Sequence, residues 1–65
     1  MYRLYAKAKD QKRYKAMDYN GGVQVNNLIY ATLFTDDKLE SLKKATYDLN
    51  QHHKGEYHFK IVGVK

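Results

Sequence analysis

The chain has 65 residues, with 12 lysine and arginine side chains against 7 aspartate and glutamate side chains and a formal net charge of +5. A chain this short builds one hydrophobic core, so we expect a single domain over residues 1–65. It contains no cysteine, which excludes disulfides, thiolate zinc sites and cysteine-based catalysis. No apolar stretch reaches the roughly 18 residues of a membrane span, and the N-terminus lacks the apolar centre of a signal peptide. The sequence therefore predicts a cytoplasmic protein that makes no membrane contact.

The first two predicted strands form a hairpin. Residues 2–8 alternate, with Tyr2, Leu4, Ala6 and Ala8 on one side and Arg3, Tyr5 and Lys7 on the other. A period of two is typical of a half-buried strand. The polar residues 9–12 indicate a turn, and the alternation then continues through residues 13–18. This pattern predicts that Tyr14 and Ala16 face inward, while Arg13 and Lys15 face outward.

The third predicted strand follows a tight turn. Asn20 and Gly21 both accept the positive φ angles of a two-residue hairpin turn, and Gly22 extends it. Residues 23–34 are rich in β-branched and aromatic side chains, which favours a strand interrupted or bulged at Asn26 and Asn27. The pattern places Val25, Ile29, Ala31 and Leu33 inward, although a bulge at the asparagines would reverse their faces.

A helix and a fourth strand complete the chain. Thr35 is a predicted N-cap, and the two aspartates after it lie where the helix dipole favours negative charge. The helix-spaced residues Leu39, Leu42, Thr46 and Leu49 form one narrow apolar stripe. Gly55 indicates that the helix has ended. In the last segment Tyr57, Phe59 and Ile61 alternate with His58, Lys60 and Val62, which predicts a strand.

These elements predict an α+β fold, a four-stranded β-β-β-α-β sheet with one helix packed on one face. Small side chains at the inward positions let a helix approach the sheet closely, namely Ala6, Ala8, Ala16 and Ala31. This pattern favours an architecture in which one helix packs on the sheet. If the first three strands form a meander, the helix carries the chain back and the fourth strand runs parallel to the first and third. We expect the fourth strand to lie beside the first.

The open face of this sheet is the predicted functional surface. Residues 1–20 carry six cations against two carboxylates, and the expected open face collects Arg3, Tyr5, Lys7, Arg13, Lys15, Tyr30, His58 and Lys60. Cations neutralise phosphates and aromatic rings stack on bases, so this set favours binding of DNA or RNA. A solvated outer face would have a similar composition. A third interpretation is a protein-interaction module, either a homodimer or an adaptor or inhibitor, that binds no nucleic acid.

Catalytic and metal sites are not predicted. The adjacent histidines His52 and His53 would point about 100° apart on a helix, and with His58 they lack a carboxylate or cysteine at a metal-binding spacing. Ser41 lies in no catalytic motif, and the chain has no glycine-rich phosphate loop. The sequence therefore predicts a non-enzymatic binding protein without a cofactor.

Two resemblances support this interpretation. The three antiparallel strands and helix of residues 1–53 resemble, in layout, the arm-type DNA-binding domains at the N-terminus of tyrosine integrases from conjugative transposons. That resemblance implies a sheet face in the major groove, with Arg3, Lys7, Arg13, Lys15 and Tyr30 near DNA. The fourth strand, residues 57–64, departs from that layout. The segment 27–35, with the sequence NLIYATLFT, and the helix after it resemble small uncharacterised proteins of phages and mobile elements in Gram-positive bacteria.

Overall fold

A computed structural model describes residues 1–65, and the fold is α+β. Its four strands are β1 (Tyr2–Ala8), β2 (Lys15–Asp18), β3 (Val23–Gln24) and β4 (Tyr57–Gly63), and its α-helix is α1 (Leu39–His52). Short 3₁₀ turns occupy Leu28–Tyr30 and Asp36–Lys38. The sheet order is β3-β2-β1-β4, and every neighbouring pair is antiparallel. The predicted β-β-β-α-β order and the place of β4 beside β1 are confirmed.

The direction of β4 differs from the prediction. β4 runs antiparallel to β1, whereas the sequence interpretation had it parallel. The reason lies in residues 25–34, which return across the sheet before the helix begins. The Thr32 N–H donates to the Met17 carbonyl at 3.0 Å, and Phe34 exchanges two hydrogen bonds with Tyr2. The helix therefore starts at the end of the sheet where β1 starts, and β4 runs back toward it.

The predicted strand over residues 23–34 ends at Gln24, and beyond it only Phe34 pairs with the sheet again, as an isolated antiparallel bridge to Tyr2. The Asn27 side chain accepts a hydrogen bond from the Ile29 N–H at 3.1 Å and begins a 3₁₀ turn. Ile29 and Leu33 were expected to face inward, but Ile29 is 76% exposed and Leu33 is also exposed. A local side-chain cap thus prevails over the strand preference of this segment.

The turn between β2 and β3 is longer than predicted. Gly22, with φ of +67°, is the glycine in the left-handed region here, whereas Asn20 and Gly21 do not have positive φ. The Gly22 N–H donates to the Asp18 carbonyl at 2.9 Å, and the Gly21 N–H donates to the Asp18 carboxylate at 3.1 Å. The Asp18 side chain therefore supports a four-residue turn in place of the two-residue turn at Asn20–Gly21.

The register of β2 reverses the faces expected for its side chains. Tyr5 lies opposite Ala16, and Ala6 lies opposite Lys15. Residues directly opposite in a sheet share a face, so Lys15 lies on the face of Ala6, and Ala16 lies on the face of Tyr5. The prediction that Tyr14 and Ala16 face the helix is wrong, because the phase of the alternation changed by one residue across the turn.

The core lies between β1, β4 and α1. Its buried cluster comprises Leu4, Ala6, Met17, Leu42 and Phe59. Leu42 and Thr46 are the buried positions of α1, and Leu49 packs against the cluster, which confirms the predicted stripe. α1 ends at His52, and Gly55 follows it with a φ of +88°, which confirms the predicted end of the helix.

The start of α1 uses Thr35 differently from the prediction. Thr35 occupies the N-cap position of the 3₁₀ turn that precedes α1, but its hydroxyl makes no hydrogen bond to the backbone. It donates to the Asp37 carboxylate. This hydrogen bond is the main reason that the pKa of Asp37 lies below its ordinary value.

The side chain of Asn50 ties α1 to the outer edge of β4. Its amide nitrogen donates to the Phe59 carbonyl at 3.0 Å, and its carbonyl oxygen accepts from the Phe59 N–H at 2.7 Å. Both backbone groups of Phe59 point away from β1, because hydrogen-bonded and non-hydrogen-bonded pairs alternate along an antiparallel ladder. One side chain therefore stands where the next strand of the sheet would bond.

We expect Asn50→Ala to lower the free energy of unfolding by about 1–3 kcal/mol, since two partly buried backbone groups lose their partner. Urea unfolding followed by circular dichroism measures this change. The control is Gln51→Ala, at the neighbouring exposed position of α1, which should change the value by less than about 0.5 kcal/mol. Equal effects of the two substitutions would contradict the role of Asn50.

Candidate nucleic-acid interface

The sheet surface turned away from α1 carries most of the predicted binding residues. β1 contributes Arg3, Tyr5 and Lys7, because Leu4 and Ala6 between them point into the core. Lys60 lies opposite Tyr5 on β4, and His58 lies opposite Lys7, so these side chains share that surface. We call this surface the basic face and define it by Arg3, Tyr5, Lys7, Tyr14, His58 and Lys60.

Tyr14 is the centre of the basic face. Its hydroxyl lies 2.7 Å from Nδ1 of His58, a hydrogen bond whose direction depends on the tautomer of the imidazole. The Lys60 ammonium lies 4.0 Å from the centroid of the Tyr14 ring, and the Lys7 ammonium lies 5.9 Å from it. An aromatic ring attracts a cation without cancelling its charge. Tyr14 therefore holds two cations on one surface while both stay positive.

Arg3 extends the positive charge along β1. Its side chain is half-buried, and its Nε atom is buried without a hydrogen-bond partner. The side chain of Arg3 makes no ion pair either, since the two ion pairs of the protein join Met1 to Asp36 and Glu40 to Lys43. A guanidinium without a carboxylate partner is available to bind an anion.

No carboxylate neutralises the basic face. Neither β1 nor β4 contains an aspartate or a glutamate. The Lys7 ammonium donates a hydrogen bond to the Gln11 carbonyl oxygen at 3.4 Å, and this uncharged partner leaves the positive charge of Lys7 in place. Three cations, Arg3, Lys7 and Lys60, thus project from adjacent strands without an acidic partner, and their fields add at the surface.

Three predicted residues lie elsewhere. Arg13 is exposed in the loop between β1 and β2, outside any strand. Lys15 lies on the helix side of the sheet, opposite Ala6, although it is exposed there. Tyr30 belongs to the 3₁₀ turn and is 66% exposed. The expected gathering of all three on the open sheet face is therefore wrong, because the phase of β2 and the end of β3 differ from the prediction.

Tyr14 is the residue of this surface that sequence reasoning missed. The alternation carried on from residues 2–8 placed it inward, yet it precedes β2 and faces outward. No local signal marked it, because the two cations over its ring, Lys7 and Lys60, come from other strands and are distant from it in the sequence.

A cleft lies on the opposite side of the sheet. α1 leaves uncovered the part of the sheet near β3, and the resulting cleft has a volume of about 380 Å³. One wall is formed by Leu49 of α1 and by His53, the residue after α1. The opposite wall includes Met17, Tyr19 and Val23. This cleft is largely apolar and carries none of the charges of the basic face, so the two surfaces suit different ligands.

We expect Tyr14→Phe to lower the free energy of unfolding by about 0.5–1.5 kcal/mol, because the ring stays while the hydrogen bond to His58 is lost. Tyr47→Phe is the matched control, since Tyr47 is 65% exposed and its hydroxyl makes no hydrogen bond. Urea unfolding of both variants gives the two values. If Tyr14→Phe were as stable as Tyr47→Phe, the hydrogen bond would contribute nothing to the face.

No group of three or more histidine, aspartate or glutamate side chains is placed to hold a metal ion. None of the helices has the length and apolar character needed to cross a bilayer. Comparison of the chain with protein-family models, with curated proteins and with solved structures finds no match.

Proposed function

We propose that the protein is a small non-enzymatic module that binds DNA or RNA through the basic face. The observation that carries this proposal is the set of three cations, Arg3, Lys7 and Lys60, on adjacent strands without a carboxylate beside them. Binding to phosphates releases the counterions that surround a nucleic acid, and this release supplies much of the binding free energy. A surface of unpaired cations is suited to that interaction.

The aromatic side chains of the face have different roles. One ammonium already lies over the Tyr14 ring, at 4.0 Å from its centroid, so this ring orders the cations. Tyr5 lies between Ala16 and Lys60 across the sheet and is half-buried. Tyr5 is therefore the ring of the face best placed to contact a base, an interaction worth about 1–3 kcal/mol per stacked base.

The two resemblances of the sequence favour this function. Residues 1–53 resemble the arm-type DNA-binding domains of tyrosine integrases in layout, and residues 27–35 with the following helix resemble small proteins of phages and mobile elements. DNA is the polymer that a mobile-element setting favours. The fourth strand lies beside β1 and contributes Lys60 to the face, so the proposed surface spans β1 and β4 instead of the first three strands. Arg13 and Lys15 then contribute to the general attraction of phosphates from outside the face.

We expect the variant Lys7→Gln/Lys60→Gln to bind labelled oligonucleotides more weakly and with less dependence on salt. The slope of log K against log salt is negative, and each lost phosphate contact makes it less steep by about 0.7–0.9. Fluorescence anisotropy with single-stranded DNA, duplex DNA and RNA, titrated between about 50 and 200 mM salt, measures both quantities. The control is Lys38→Gln/Lys44→Gln, which removes the same charge from the exposed helix side.

Two outcomes would contradict the proposal. One is the absence of binding to any of the three polymers at low salt. The other is an equal loss of affinity in the two double variants, since this would mean that net charge, and not the basic face, determines binding.

A protein-interaction module is the second candidate function, and the 3₁₀ turn is the observation that favours it. Leu28, Ile29 and Tyr30 are consecutive apolar side chains with exposed fractions of 48, 76 and 66%. Monomeric proteins rarely expose contiguous large apolar patches, and such patches mark interaction sites. A partner protein that covers this turn would remove its apolar surface from water.

We expect Ile29→Asp to leave the free energy of unfolding within about 0.5 kcal/mol of the original value, because an exposed side chain contributes little to the fold. The same variant should lose any protein partner that the original chain captures by affinity purification. Tyr47→Asp, at a similarly exposed apolar position on α1, should keep that partner. Retention of the partner by Ile29→Asp would exclude the turn as its binding site.

A further inference from the structure

The outer edge of β4 is protected over only half of its length. Hydrogen bonds from the Lys9 N–H to the Glu56 carbonyl at 2.9 Å, and from the Val64 N–H to the Met1 carbonyl at 2.7 Å, mark the two ends of the β1–β4 ladder. Because the pairs alternate between them, even-numbered residues of β4 bond to β1, and odd-numbered residues point their backbone groups to the outer edge.

The helix occupies the first part of this edge. The Tyr57 N–H donates to the His53 carbonyl at 3.0 Å, and the Asn50 side chain occupies both backbone groups of Phe59. The next two odd-numbered residues, Ile61 and Gly63, make no hydrogen bond with their edge-facing groups. Such unpaired strand edges bind further strands unless the protein blocks them.

We propose that a second copy of this chain pairs with this edge, β4 against β4 and antiparallel, about a twofold axis that passes beside Val62. In this register Ile61 of each copy lies opposite Gly63 of the other, and the two pairs exchange four backbone hydrogen bonds. The two Val62 side chains meet on the axis. The two four-stranded sheets then form one continuous sheet of eight strands.

The register follows from the charges and from the block at Phe59. With the axis beside Val62, Lys60 lies opposite Val64 of the second copy, and no two cations face each other. An axis beside Lys60 would place the two Lys60 side chains opposite each other and would require the groups of Phe59 that Asn50 already occupies. Like charges directly opposite in a sheet are destabilising.

A second copy fits this edge better than an unrelated strand. The open stretch is short, and in this register it pairs with itself without a conflict of charge. The apolar and half-buried Val62 meets the same residue, Ile61 meets Gly63, and the uncharged Val64 meets Lys60. Twofold pairing of one patch with itself is the commonest way in which small proteins associate. Asn50 of the second copy would lie near Lys65, beyond the paired stretch, and so would not obstruct it. This inference does not depend on nucleic-acid binding.

Disulfide trapping tests the register. The natural chain has no cysteine, so Val62→Cys introduces a single thiol at the axis, where a non-hydrogen-bonded pair brings the two Cα atoms to about 4.5 Å. We expect this variant to form a disulfide-linked dimer under mild oxidation. The control Lys60→Cys would place its two thiols on Cα atoms about 13 Å apart, four residues along the strand, and should not cross-link. Equal cross-linking of both variants, or of neither, would overturn the proposal.

Removal of the edge donor tests the hydrogen bonds. Gly63→Pro deletes an N–H that points away from β1, so the β1–β4 ladder stays intact, and unfolding experiments check this. Gly63→Ala keeps the N–H, and its added Cβ meets no atom within 4 Å. We expect sedimentation equilibrium to show dimers for the natural chain and for Gly63→Ala, and a dimer dissociation constant about tenfold or more higher for Gly63→Pro. A monomeric natural chain, or equal dissociation constants for the two variants, would overturn the proposal.

Discussion

The pairing of β1 with β4 is the interaction on which the rest of the structure depends. It runs through seven residue pairs, from Tyr2 opposite Gly63 to Ala8 opposite Tyr57. Because successive residues of a strand point to opposite faces, this ladder determines the core and the basic face together. The positions that put Leu4 and Phe59 against α1 also put Lys7 and Lys60 on the opposite side. A shift of one residue in this pairing would turn the side chains of one strand to the opposite faces of the sheet, and would disrupt both the core and the basic face.

The small size of the core explains why so much apolar surface is left over. Seven residues are buried, and a domain of this length removes only about 60% of its unfolded surface from water. The helix covers the sheet over β1 and β4, which leaves the apolar cleft on the side of β3 and the apolar 3₁₀ turn at Leu28–Tyr30 exposed. The same limit leaves part of the β4 edge uncovered. Surfaces of this kind stabilise a small protein when a partner covers them.

The basic face differs from these surfaces in its chemistry. Two of its cations, Lys7 and Lys60, lie over the Tyr14 ring, and the two ion pairs of the protein lie elsewhere. Salt bridges would have neutralised the face, whereas an aromatic ring leaves its charge available to phosphates. The proposed dimer would place two such faces on one side of a continuous sheet, because a twofold axis perpendicular to a sheet keeps each face on its own side.

The sequence by itself determined the α+β class, the faces of β1 and β4, the leucine stripe of α1 and the helix stop at Gly55, since each of these depends on local periodicity or on one residue's backbone preference. The tertiary structure decided the phase of β2, and with it the outward position of Tyr14, because alternation within a strand cannot be carried through a loop of unknown length. It also decided the direction of β4. That direction depends on contacts such as Thr32 with Met17 and Phe34 with Tyr2, which join residues far apart in the chain and leave no periodic pattern in the sequence.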